Sequence, residues 1–294
     1  MFKYLVAFAL ISLSCGSIKG LCQDGFIEGT PALAYYKVGK GEQTIIILHG
    51  GPAAGHSYLR PEWDALSKVG QVVYYDQRGA GKSELSSCYS WQAHVEDLKR
   101  VITKFSAKGK VILAGSSWGT QLALLYAYTY PNDVKGIILS GTVKWFGMGD
   151  ASKECSAYIP GSDVYKKVDT SFVYVSLKDR SMFKKPATMD SATLQKLSKG
   201  KYFEAPFTPR VATSFSLKEA PIIASLKNIQ VPVLLVEGKG NCIETQYHKD
   251  GAQSYAQVLR NVQLSTIEDA CHDPWYTHSL IFFSKCIDFI KGIR

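Results

Sequence analysis

Hydrophobic and polar positions along the chain fall into two rhythms. Short runs rich in β-branched residues occur at Ala32 to Val38, Thr44 to Leu48, Gln71 to Tyr75, Val111 to Ala114, Lys135 to Leu139, Val231 to Val236 and Val262 to Ile267, and their length predicts strands. Elsewhere the spacing is helical. Over Trp91 to Phe105, the residues Val95, Leu98, Ile102 and Phe105 share one face, which predicts an amphipathic helix. Ser117 to Tyr130 is apolar on nearly every side and predicts a more buried helix, and Pro274 to Ile290 predicts a closing one. Strands separated by helices predict an α/β protein with a mostly parallel central sheet flanked by helices, because parallel neighbours require crossover connections.

From about Thr142 to Leu226 both rhythms break. The segment is rich in Lys, Ser and Tyr and carries Pro160, Pro186, Pro206, Pro209 and Pro221. It is expected to be a helical cap insertion, residues 142–226, that splits the core into 21–141 and 227–294. With 294 residues and 46% apolar side chains the chain can bury one large core, so a second independent domain is not required. No internal repeat or low-complexity tract is present.

Residues 1–20 follow a third pattern. Lys3 precedes an apolar run from Tyr4 to Leu13, and small residues follow, the order of a secretory signal peptide with cleavage near Gly20. The mature chain is then expected to be exported, periplasmic or extracellular. No later run reaches the roughly 18 uninterrupted apolar residues that a spanning helix needs, so no transmembrane segment is expected. Leu13-Ser14-Cys15 offers an alternative in which lipid attachment anchors the chain. Loss of the leader removes Cys15 and leaves Cys22, Cys88, Cys155, Cys242, Cys271 and Cys286, an even set in a compartment that permits disulfides. The formal charge is +9, or +7 without Lys3 and Lys19. Because Lys and Arg are scattered, this predicts a solvated basic surface and no nucleic-acid partner. There is no C-x-x-C pair and no metal-ligand cluster, so neither a metal nor a cofactor is expected.

Candidate chemistry concentrates where strands end. Gly115-Ser116-Ser117-Trp118-Gly119 fits G-x-S-x-G and lies between a strand and an apolar helix, the setting in which a sharp turn presents a serine hydroxyl above the sheet. Ser117 is the candidate nucleophile, since Ser116 lacks glycines at both offsets. The Trp118 amide, at the helix N-terminus, is then placed to face a developing oxyanion. His49-Gly50-Gly51-Pro52 follows an apolar strand where the second oxyanion donor is required, and Gly51 is the candidate amide. His49 itself is expected to be structural. The loop Asp76-Gln77-Arg78-Gly79-Ala80-Gly81-Lys82-Ser83 looks superficially like a phosphate cradle, but Asp76 stands where a Walker A loop needs its first glycine. Asp76 and Arg78 are instead expected to pin this loop through ion pairs and hydrogen bonds.

The chain order nucleophile, acid, base requires a histidine beyond the last strand. His272 meets that requirement, and His278, inside the expected closing helix, is the reserve. The acid should follow the strand at Val231 to Val236, yet the matching position is Asn241. An asparagine orients an imidazole but brings no charge to an imidazolium. Function therefore needs a displaced acid, a working dyad or tolerance of slow chemistry. Glu244 is the candidate displaced acid, although Asn241 and Glu244 also fit a capping-box-like pair at a helix start.

Together these pieces resemble the proline iminopeptidase-like branch of the α/β hydrolases, peptidase family S33. The resemblance is carried by His49 to Pro52, Tyr75 to Ser83, Gly115 to Gly119, Pro131 after the following helix, and His272. It covers Gln43 to Gly141 well and the chain from Ile229 onward loosely. It implies an α/β-hydrolase fold with Ser117 as nucleophile, Gly51 and Trp118 as oxyanion donors and His272 as base, and it places the family's catalytic aspartate on Asn241. The cap in that family presents acidic residues, including a Trp-Glu pair, to the substrate's amine. Residues 142–220 contain no Trp-Glu and hold 13 Lys and Arg against 8 Asp and Glu. In such a fold the loops bearing Asn241 and His272 are neighbours, so a Cys242–Cys271 disulfide would pin them together.

The expected function is a serine hydrolase that cleaves an ester or amide bond, an N-terminal peptide bond among the candidates, through an acyl-enzyme formed with a small-molecule or short-peptide substrate. Dehalogenation or epoxide opening on this fold would need an Asp nucleophile, which Ser117 excludes. The alternative is a ligand-binding protein that kept the pocket and lost efficient catalysis, motivated by Asn241.

Overall fold

The computed structural model describes residues 23–106, 109–145, 147, 207–240 and 243–293. Among them, strands β1 (Gly25–Ile27), β2 (Leu33–Val38), β3 (Thr44–Leu48), β4 (Gln71–Tyr75), β5 (Val111–Ser116), β6 (Val134–Ser140), β7 (Val233–Gly238) and β8 (Val262–Ile267) form one sheet in the order β1-β2-β4-β3-β5-β6-β7-β8. The pairings β1–β2 and β2–β4 are antiparallel, and every pairing from β4 to β8 is parallel. The helices are α1 (Trp91–Phe105), α2 (Trp118–Thr129), α3 (Phe207–Ser216), α4 (Ile243–Val258), α5 (Pro274–Thr277) and α6 (Ser279–Gly292).

Two-residue alternation along the strands divides the core into two layers. Ile46, Leu48, Val73, Leu113, Leu139 and Leu235 point into one layer, with Leu98 of α1, Leu122 of α2 and Tyr255 of α4 packed on them. Ile45, Ile47, Val72, Ile112, Ile138 and Leu234 point into the other, covered by Trp275 and Phe282 from the C-terminal helices and by Trp63 of the 3-10 turn Glu62–Lys68. Trp63 meets Trp275 edge-on, with ring centroids 5.3 Å apart. The central strands are therefore buried on both faces, which is why their sequences run apolar without polar interruption.

β5 runs on to Ser116 and the helix Ile243–Val258 was not expected; three further elements differ from their sequence-based expectation for identifiable reasons. β7 starts at Val233 rather than Val231, because Pro232 has no N–H for the ladder and Val233 is the first to donate, to Asn261 O at 2.8 Å. Its far end extends through Gly238, two residues beyond the expected Val236. The closing helix is two helices: His278, at φ −131° and ψ 43°, lies between them. Its N–H closes α5 on Pro274 O, and its carbonyl opens α6 by accepting from Phe282 N. Both halves are apolar on the core side, so spacing alone did not separate them. β1 is too short, at three residues, to display alternation.

Residues 148–206 of the expected cap lie outside the described part, as does the expected leader at 1–20. The described end of the insertion docks on α1: Trp91 N donates to Ser216 Oγ at 2.9 Å, and His94 Nε2 donates to Thr213 Oγ1 at 2.9 Å. Among the described residues no helix is long and apolar enough to cross a membrane.

The turn from β5 into α2 brings backbone against backbone. A methyl group on Gly119 would overlap the Leu48 carbonyl oxygen, and one on Gly115 would overlap Gly119 itself. Gly119→Ala is expected to destabilise the fold by about 2–3 kcal/mol, read from urea denaturation; an unchanged midpoint would contradict this packing.

Candidate active site

The C-terminal ends of the parallel strands collect the polar residues on one rim, the side of an open α/β sheet where ligands bind. His49 follows β3, Asp76 follows β4, Ser117 follows β5, Gly141 follows β6, and His272 lies beyond β8.

Ser117 is the N-cap of α2, at φ 53° and ψ −120°. A positive φ in a non-glycine residue is strained, and such strain gathers at functional sites. A serine at a helix start usually accepts a hydrogen bond from the second or third helical amide; Ser117 makes no such cap. Its amide donates instead to Ser140 O at 3.1 Å, tying the turn to the end of β6. The next residue, Gly141, has φ 59° and packs against the His272 imidazole. A methyl on Gly141 would lie 3.0 Å from His272 Cε1 and 3.2 Å from Nδ1. Residues 117 and 272, far apart in sequence, thus meet one short segment at the end of β6.

The loop after β3 packs equally close. A methyl on Gly50 would stand 2.9 Å from both the Ser117 Cβ and the Tyr58 hydroxyl. Gly50 N donates to that hydroxyl at 2.7 Å, and the hydroxyl donates to Ser116 Oγ at 3.2 Å, so Tyr58 bridges the loop and the turn. Sequence reasoning missed Tyr58, which belongs to no motif and is recruited by the fold. Gly51 continues the loop at φ 117°, and Ala54 N closes it on Gly50 O at 3.3 Å.

Beneath these residues lies a polar layer. Burial pulls the His49 imidazole down to about 4, against the attraction of Asp76, so it is neutral at physiological pH. Its Nε2 accepts from Gln77 N at 2.9 Å, which leaves Nδ1 to donate to Gly50 O at 3.0 Å. Gln77 donates from Nε2 to His49 O at 2.8 Å and accepts from Trp118 Nε1 at 2.6 Å. His49 is thus held in a structural network, as expected. Asp76 Oδ1 accepts from the His56 amide and from His56 Nδ1, both at 2.9 Å, while Oδ2 accepts from the Tyr36 hydroxyl at 3.0 Å and Lys82 N at 2.9 Å. Burial alone would raise this carboxyl, but the His56 hydrogen bond and charge, His49 and the Lys82 amide bring it down to about 2. Arg78 pairs with Asp97 at 2.8 Å and donates to Ser86 Oγ, Cys88 O and Ala93 O. The loop is pinned by its own side chains, as the failed Walker A spacing required.

Asn241 and Cys242 lie outside the described residues; Glu244 falls in the first turn of α4, its side chain outside the description. The connection that carries them runs beside the His272 loop, since Lys239 N donates to Ile267 O at 2.9 Å and Gly240 N to Ala270 O at 2.6 Å. Cys286 is a buried free thiol. His278 Nδ1 lies 2.8 Å from Thr277 Oγ1 at the helix break. Among the described residues no group of His, Cys, Asp and Glu is arranged to hold a metal.

A strained serine between strand and helix, a glycine loop packed on it and a late histidine on the same rim define an α/β-hydrolase. Residues 39–276 match the family described as serine aminopeptidase, S33, and the chain belongs to that family. It is 29% identical over 284 residues to the proline iminopeptidase of Saccharolobus solfataricus, covering 88% of each protein. It is 38% identical over 125 residues to the proline iminopeptidase of Thermoplasma volcanium, a match that spans 42% of that protein, less than half its length. In structure it is similar to an esterase from Thermogutta terrifontis, with TM-score 0.68, 20% identity and coverage of 90% of this chain and 94% of that one. It is also similar to the enol-lactonase of Burkholderia xenovorans, with TM-score 0.68, 16% identity and coverage of 91% and 100%. These two likenesses define the fold.

The Asp76 network carries a pH signature. Its folded value of about 2 lies below the 3.8 of a free carboxyl, so its stabilisation is complete above about pH 4 and is lost as pH falls through 2. Asp76→Asn is expected to lower stability at pH 7 by about 2 kcal/mol and to remove that part of the acid dependence, measured by urea denaturation at pH 7 and pH 3. A variant as stable as the parent at pH 7 would contradict the assignment.

Proposed function

We propose that the protein is a serine hydrolase that cleaves an ester or amide bond through an acyl-enzyme, with Ser117 as nucleophile and His272 as general base. The observation that carries this reading is Ser117 itself, at φ 53° on a helix N-terminus with its hydroxyl unused as a cap. Ser117 Oγ attacks the carbonyl carbon as its proton passes to His272, and the oxyanion forms against the Gly51 and Trp118 amides. The imidazolium then protonates the leaving group, and water, activated by the same imidazole, releases the acid. Membership of the S33 family and the relatives named proline iminopeptidase favour a short peptide with a free N-terminus as substrate, processed as by an aminopeptidase.

A second reading follows from Asn241: a ligand-binding protein that kept the pocket and lost turnover. Export remains our proposal for location, supported by the leader-like pattern of residues 1–20 and by the even set of cysteines left without it. For Cys271 the proposed disulfide partner is Cys242, four residues beyond Gly238, whose backbone packs against the Cys271 carbonyl.

A fluorophosphonate probe is expected to label the wild type and not Ser117→Ala, and hydrolysis across a panel of aminoacyl-naphthylamides and short-chain esters is expected to fall by roughly 10³-fold or more in that variant. An unlabelled wild type would favour the binding protein. Peptide mapping of the unreduced protein is expected to recover a Cys242–Cys271 cross-linked peptide; two free thiols at those positions would remove the pairing.

A further inference from the structure

Two carboxylates near the His272 loop have no task in the reading above: Asp273, buried and next to His272 in the chain, and Glu237 near the end of β7. Glu237 is the last residue but one of β7, paired through its neighbour Val236 with Ser140 of β6 and itself opposite Thr266 of β8. Its side chain is partly buried. Oε1 accepts from Thr142 N at 3.1 Å, and the Gly141 amide also donates to the carboxyl. No Lys or Arg among the described residues forms an ion pair with it. Burial raises this carboxyl, opposed by the hydrogen bonds from Thr142 and Gly141, to about 7. A desolvated carboxyl with amide donors and no cation is poorly compensated at rest.

The same turn that Glu237 holds is the wall of the candidate base. Gly141, gripped by Glu237 on one side, lies against the Nδ1 and Cε1 edge of the His272 ring on the other. Next along β7, Gly238 packs so tightly on the Ala270 and Cys271 carbonyls that a methyl there would overlap both. The end of β7 therefore braces the His272 loop directly and through the β6 turn. The other titratable group packed on this carboxyl is the buried Tyr255 of α4, whose hydroxyl donates to Val143 O at 2.6 Å and which stays neutral. On its own connection and the β8 turn, Lys239 pairs with Glu268 at 3.2 Å at the exposed edge, and Asp269 follows.

We propose that Glu237 is the positioning carboxylate of His272, holding the Gly141–Thr142 turn against the imidazole and setting a negative charge behind it. This rests on Ser117 and His272 being nucleophile and base. When the Ser117 proton moves to His272, the imidazolium becomes the cation that Glu237 lacks at rest, so the pair is favourable only once the charge has developed. No bond to Glu237 forms or breaks, and no proton is transferred to it. This role differs from that of an aspartate at position 241, which would hydrogen-bond the ring from the following loop. Ending the strand at Val236 left Glu237 in the loop that follows it, where sequence analysis singled out Asn241 and Glu244.

The test is the rate at which a fluorophosphonate labels the full-length protein between pH 5 and 9. A carboxylate behind the ring favours the imidazolium, so the wild-type rate is expected to fall with acid at a midpoint raised by Glu237. Glu237→Gln is expected to react about tenfold slower or worse at pH 8 and to fall at a midpoint about one unit lower, whereas Glu237→Asp, which keeps the charge, keeps the wild-type midpoint. A Glu237→Gln variant within twofold of the wild type with the same midpoint overturns the proposal. If the Gln variant does not fold, the Asp variant decides, and a midpoint about one unit below that of the wild type overturns the proposal. A wild type that never labels fails differently, by removing the serine hydrolase reading itself.

Discussion

Between the last residue of β5 and the first turn of α2 the chain has a single residue in which to pass from extended to helical backbone. It uses Ser117, at φ 53°, and everything on the rim follows from that. The helix starts so close to the sheet that only glycine fits at positions 115 and 119, with Leu48 of β3 pressing on the latter. The loop after β3 must then pass beside the serine, and a methyl on Gly50 would already stand 2.9 Å from the Ser117 Cβ. Strain of this kind persists only where the surroundings overdetermine the conformation. Here they do, through two fully buried strands and a helix packed without a side chain between them.

The overdetermination is continued by neutral and charged hydrogen bonds that run across loops rather than within them. His49, Gln77 and Trp118 join the ends of β3, β4 and the start of α2, and Tyr58 joins Gly50 to Ser116. Asp76 gathers His56, Tyr36 and Lys82 around one carboxylate. None of these groups needs to touch a substrate to matter. Their effect is to fix the loops after β3 and β4 against the start of α2.

Much of this was legible from residues alone, for reasons that differ by element. β3, β4, β8 and α1 match their expected limits because their apolar patterns end at clear breaks, and the serine turn was legible because its glycines are dictated by close approach of backbone. The limits of β7 were misplaced by two residues, since an apolar run does not reveal that Pro232 is outside the ladder. That small displacement hid Glu237. Tyr58 was illegible because its partners, Gly50 and Ser116, are set by tertiary packing alone, and the break at His278 was masked by apolar residues on both sides. The expected acid position, Asn241, departs from the family pattern, and no local rule says what replaces it.

The proposal at the centre of this account is that the hydroxyl of Ser117 and the imidazole of His272 serve a single reacting centre, in a chain of the serine aminopeptidase family. A crystal structure of the phosphonylated protein tests it most directly. The account predicts phosphorus bonded to Ser117 Oγ, its oxygen about 3 Å from the Gly51 and Trp118 amides, and the His272 ring within hydrogen-bonding reach of the adduct. An adduct on another residue, or an imidazole turned away with no donor at the phosphonyl oxygen, would contradict it.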